Sequence, residues 1–75
     1  MNKFRRKSLE EIKLKLEQLQ FDIDTLKDEE QQAHDNLPES IQYSEKGETM
    51  EDNVYKLEQA YDCIQQALDE LDDIE

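Results

Sequence analysis

The segment Ser8–Leu26, SLEEIKLKLEQLQFDIDTL, decides the fold. Its apolar residues Leu9, Ile12, Leu16, Leu19, Ile23 and Leu26 are spaced alternately three and four apart. That spacing puts one stripe along an α-helix and is incompatible with the two-residue period of a strand. Read as heptads, Leu9, Leu16 and Ile23 take position a and Ile12, Leu19 and Leu26 take position d. The run continues through Ala33 and Leu37, with Glu30 in the a slot between them. Ser8 followed by Glu11 fits a capping box, so the first helix is predicted over about residues 8–35.

A second run has the same spacing. Met50, Val54, Leu57, Tyr61, Ile64, Leu68 and Leu71 predict a second helix over about residues 49–74, with Thr49, or Ser44 a turn earlier, at its N-cap. Between the helices, about residues 36–48 form a corner. Pro38 is tolerated there because its missing N–H has no intrahelical acceptor. Gly47 is the one residue of the chain able to take positive φ without steric cost. Leu37, Ile41 and Tyr43 are expected to plug the end of the seam.

Folded antiparallel, the two runs pair by a constant sum. Ala33 is expected opposite Met50, Glu30 opposite Val54, Leu26 opposite Leu57 and Ile23 opposite Tyr61. Leu19 then meets Ile64, Leu16 meets Leu68, and Ile12 meets Leu71. The fold class is therefore all-α: a single coiled-coil-like, antiparallel two-helix hairpin spanning residues 1–75. One seam buries little apolar surface for 75 residues, and chains of this size usually add a staple. A lone cysteine gives no internal disulfide and the ligands for zinc are missing. Dimerisation into a four-helix bundle is the staple that remains.

The charge is uneven. Residues 1–16 hold six of the nine basic groups and carry +4, while residues 17–75 carry −16. So acidic a body repels nucleic acid and anionic membrane, and no direct contact with either is expected. The hairpin register sets Lys3, Arg5, Arg6 and Lys7 near Asp69, Glu70, Asp72, Asp73 and Glu75, so that each cluster offsets the other. The longest apolar run is too short for a membrane span or a signal-peptide core, and the expected location is cytoplasmic.

Nothing in the sequence assembles a catalytic site, and no cofactor or metal is expected. His34, the only histidine, is expected exposed near the end of the first helix, and Cys63 is expected to face solvent without a base to activate it. Asp22-Ile23-Asp24 with Asp28-Glu29-Glu30 resembles the start of a calcium loop. Lys27 stands where such a loop needs its turn glycine, and the segment lies inside the helical seam. The expected function is a non-catalytic protein-interaction module. Its candidate interface is the set of apolar residues off the main seam: Leu14, Phe21, Tyr55, Ala60, Ala67 and Ile74. The alternative is an acidic inhibitor of a host DNA- or RNA-binding protein, imitating nucleic acid through Asp69, Glu70, Asp72 and Asp73.

The corner carries a resemblance. Asp28-Glu29-Glu30-Gln31-Gln32-Ala33, Asp35-Asn36-Leu37-Pro38-Glu39-Ser40-Ile41-Gln42, Ser44-Glu45-Lys46-Gly47-Glu48 and Met50-Glu51 resemble a group of small acidic helical-hairpin proteins of bacteriophages and mobile elements. The likeness spans roughly residues 26–68 and is strongest over 28–51. It implies a phage or mobile-element origin and a host-directed role, and it carries over no functional residue.

Overall fold

The computed structural model describes all residues from Met1 to Glu75. It has three helices, α1 (Lys3–Asp35), α2 (Glu39–Gln42) and α3 (Glu45–Asp72). Helices α1 and α3 lie antiparallel in a rod of 59 × 15 × 11 Å. Its radius of gyration is 17.3 Å, where a globular chain of this length has about 11 Å. Only Leu9, Val54 and Leu68 are buried apolar side chains, and none is sealed completely. The rod has a seam and no globular core.

Both long helices begin earlier than the sequence pattern suggests. Asn2, not Ser8, caps α1: its Oδ1 accepts from the Arg5 N–H at 2.8 Å. Ser8 lies inside the helix and donates its hydroxyl to the Phe4 carbonyl, 3.4 Å away, so the capping box does not form. The polar segment 3–7 is helical although it contributes nothing to the apolar stripe. Ser44, the earlier of the two expected positions, stands at the N-cap of α3, though its hydroxyl donates to the Ile41 carbonyl and not to the helix, and Thr49 lies within α3.

The corner is ordered by Gln42. Its side-chain amide donates to the Leu37 carbonyl at 2.9 Å and to the Asp35 carbonyl at 3.3 Å, satisfying acceptors left open at the end of α1. Pro38 precedes α2, and its carbonyl accepts from the N–H groups of Ile41 and Gln42. Leu37 is half-buried, but Ile41 is 38% exposed and covers the end only in part, and Tyr43 is 78% exposed and plugs nothing.

Gly47 is not the positive-φ turn residue expected; no residue of the chain has positive φ. It sits in the first turn of α3 and is buried against the backbone of Gln42. A Cβ there would lie 2.5 Å from the Gln42 carbonyl carbon and 2.8 Å from its Cα, and would overlap the carbonyl oxygen as well. The glycine is required by close approach of two backbones.

The register matches the constant sum, but the rotation of α1 differs from the expected one. Its inward residues are Leu9, Lys13, Leu16, Gln20, Ile23, Lys27, Glu30, His34 and Leu37. The heptad a positions face inward as expected, accompanied by position e in place of d. Ile12, Leu19 and Leu26 are consequently 49%, 53% and 52% exposed. On α3, the expected residues Met50, Val54, Leu57, Tyr61, Ile64, Leu68 and Leu71 do face α1.

Gly47→Ala separates two effects of opposite sign. Helix propensity alone would stabilise the alanine variant by about 1 kcal/mol. The clash with the Gln42 backbone should outweigh this and leave a net loss of about 1–3 kcal/mol, measurable as a lower midpoint in urea. A higher midpoint would mean that the two backbones are not in contact.

Candidate functional site

The rotation of α1 gives the hairpin two unlike faces. One is closed by a polar ladder built from the e positions of both helices. Lys13 Nζ meets Asp72 Oδ1 at 2.9 Å. Gln20 Nε2 donates to Gln65 Oε1 at 2.9 Å and to the Tyr61 carbonyl at 3.4 Å. Lys27 shares a groove with Glu58 and is paired with Asp24 and Asp28 on its own helix. His34 Nε2 lies 3.2 Å from Glu51 Oε1. The residue numbers of all four facing pairs have the same sum, so the e positions follow a single register along the rod, Lys27 and Glu58 facing each other without an ion pair.

Long side chains suit this arrangement. Each lays its hydrocarbon stem along the seam and carries its polar head to the edge. Lys13 shows only 17% of its side chain and Lys27 25%. The hydrogen bond to Asp72 holds the Lys13 pKa above its ordinary value of 10.5, against the opposing effect of desolvation. The sign follows directly: the pair contributes fully below that ordinary value and is lost as pH rises past the raised one.

His34 is buried, where the sequence suggested exposure. Its Nδ1 lies 3.3 Å from Asp35 Oδ1, while Nε2 is near Glu51 without the alignment of a hydrogen bond. The inward turn of position e accounts for the difference. One further polar contact crosses the seam: Asn53 Nδ2 donates to Glu30 Oε2 at 2.9 Å, giving the acidic residue in the a slot a partner.

The other face is open. Ile12, Leu19 and Leu26 run along it from α1. Leu26 lines a shallow groove there with Glu29, Glu30, Asn53, Lys56 and Leu57. Ala60 and Ala67 fall on the same helical line as Asn53, seven residues apart, and extend that face on α3, whereas Ile74 lies past the end of α3 in a groove with Arg6, Leu9 and Lys13. Ala60 is half-buried, Ala67 exposed and Ile74 41% exposed.

The six apolar residues singled out from the sequence are thus divided. Leu14 and Phe21, 64% and 65% exposed, each follow a rung residue by one position and lie on the outer flank beside the ladder. Tyr55, 59% exposed, stands one turn from Glu51 on that same side. Ala60 and Ala67 belong to the open face, and Ile74 to the groove beside Lys13 at the end of the ladder. Sequence reasoning placed Ile12, Leu19 and Leu26 in the seam and so missed them as surface. The available signal was the second set of long polar residues at fixed spacing, Lys13, Gln20, Lys27 and His34.

Asp69, Glu70, Asp72 and Asp73 are exposed, as an acidic surface requires. Asp72 is taken up by Lys13, and Asp69 accepts from Gln65 Nε2 at 3.0 Å. Lys3, Arg5, Arg6 and Lys7 make no ion pair within 4.0 Å, contrary to close pairing with that cluster. Their neighbourhood with it is looser: Arg6 and Glu75 line one groove, and the Met1 nitrogen donates to the Glu75 carbonyl at 2.8 Å. Cys63 is exposed. No three His, Cys, Asp or Glu side chains come together as a metal site, and no helix is long and apolar enough to cross a membrane. Set against known protein families, curated proteins and solved structures, the chain finds no match.

If the ladder fixes the rotation of α1, its central rung should matter more than a surface amide does. Gln20→Ala removes two interhelical hydrogen bonds and should cost about 1–3 kcal/mol, with a coupling to Gln65→Ala in a double-mutant cycle. Additive effects of the two substitutions would show that the rung is not formed.

Proposed function

We propose that this chain is a non-catalytic protein-interaction module that associates with itself, two hairpins forming a four-helix bundle. One observation carries the reading: Ile12, Leu19 and Leu26 each expose about half their surface on a single face. Scattered apolar residues on a surface need no explanation. Three in line at seven-residue spacing, next to the half-buried Leu57, Ile64 and Leu71, form a continuous strip that water covers at a cost. Burying the exposed half of each would contribute about 1 kcal/mol per side chain. In a four-helix bundle these d positions become core, as the heptad pattern suggests.

With the resemblance at the corner, the reading extends to a phage or mobile-element protein acting in the host cytoplasm on a protein target. Leu14, Phe21 and Tyr55, on the flank beside the ladder, stay accessible in such a bundle and are the candidate surface for that target. Imitation of nucleic acid has less support, because Asp72 and Asp69 are already engaged within the hairpin.

Self-association is tested by sedimentation and by thermal melting at several concentrations. The expected result is a dimer at micromolar concentration whose melting temperature rises with concentration. A monomer whose melting is independent of concentration would overturn the reading.

A further inference from the structure

We infer that the open face seats a second copy of this chain laid antiparallel, α1 upon α1 and α3 upon α3. This rests on the self-association proposed above and adds its face and symmetry. Two stripes make the face, and each is symmetric about its own midpoint. On α1 the stripe Ile12, Leu19, Leu26 is centred on Leu19. On α3 the small residues Ala60 and Ala67 are centred between Cys63 and Ile64. The cross-seam contacts Gln20–Gln65 and Asn53–Glu30 fix which levels of the two helices adjoin. They bring both midpoints to one level of the rod.

A two-fold axis crossing the rod at that level relates each stripe to itself. Ile12 lies on Leu26 of the second copy, Leu19 on its own counterpart, and Ala60 on Ala67, whose small side chains allow the helices to approach closely. A residue at the axis meets itself, as an isologous interface requires. The other way to stack the same faces is an axis along the rod, which lays α1 on α3 with both corners at one end.

Charge distinguishes the two. Residues 28–52, the corner end, carry nine carboxylates against Lys46 alone. Stacking the hairpins in parallel sets two such ends against each other. Antiparallel stacking sets each against the terminal end, where residues 1–16 at +4 and residues 69–75 at −5 nearly cancel, so the repulsion between two acidic corners is avoided. Along the rim, Lys15, unpaired within the chain, comes opposite Asp22 of the second copy.

Cys63 is a built-in probe, being exposed and within one residue of the axis on α3. Antiparallel helices packed about 8–10 Å apart bring it to its counterpart within the Cα separation a disulfide spans, about 4.4–6.8 Å. In the parallel stack the two Cys63 residues lie on diagonal helices, and each faces the second copy's α1 near Gln18. The experiment is diamide oxidation of the full chain at micromolar concentration, read on non-reducing gels beside sedimentation. Leu14→Cys in a Cys63→Ser background marks the collisional rate.

Wild type should cross-link at least about tenfold faster than that control. Leu19→Glu, which sets two carboxylates together at the axis, should lose both dimer and cross-link while keeping its far-UV helicity. Leu14→Gln with Phe21→Gln should keep both. A dimer in which only Gln18→Cys combined with native Cys63 cross-links is parallel. A dimer in which neither cross-links uses another face. Either result overturns the antiparallel assignment and leaves self-association standing, whereas a monomer at all concentrations overturns both.

Discussion

The rest of the structure depends on the register of the polar rungs between α1 and α3. Two helices that share only an apolar stripe can slide or rotate with little penalty, because dispersion and hydrophobic contact are not directional. A hydrogen bond is directional, and Gln20 reaching both Gln65 and the Tyr61 carbonyl tolerates little of either motion. Lys13 with Asp72 and Glu30 with Asn53 repeat the constraint nearer the two ends of the rod. The polar contacts therefore specify the arrangement more than they stabilise it. A hydrogen bond of this kind contributes only about 1 kcal/mol net.

Turning α1 toward its polar rungs has a structural price elsewhere, in the leucine and isoleucine side chains it rolls out into solvent. A hairpin with only one partner helix cannot cover positions a, d and e together. With a and e turned inward, d is left over. The open face and the closed face are thus two results of a single rotation, and neither can be altered without the other.

Much of this was legible in the residues. The three-and-four spacing gave both helices, their antiparallel pairing and their register, because heptad position is a local property of the chain. The rotation was not legible, since Ile12 and Lys13 flank the a stripe on opposite sides and an apolar pattern always favours Ile12. His34 was misplaced for the same reason. The start of α1 was missed because Asn is as good a cap residue as Ser, and the charged residues between Asn2 and Ser8 are sound helix formers. Gly47 was correctly singled out but for the wrong property: the sequence shows that a glycine is present, and only the approach of Gln42 shows what it is for. Of the candidate surface residues, exposure was legible and grouping was not, because division among faces follows from the rotation.

The rod is also a zipper with one fixed end. Glu30 and Asn53 join across 23 steps of chain, whereas Lys13 and Asp72 join across 59. Closing the longer loop first would cost only about 1 kcal/mol more by loop length alone, yet once the corner rung is made every later rung extends a loop already closed. Formation is therefore expected to start at the Gln42–Gly47 corner and travel toward the termini, and opening to run the other way. A pull on the two ends would separate the rungs one at a time, while a pull along the rod axis, from a terminus and the corner, would load them all together. The same few weak bonds would then yield gradually in one direction and resist as a set in the other.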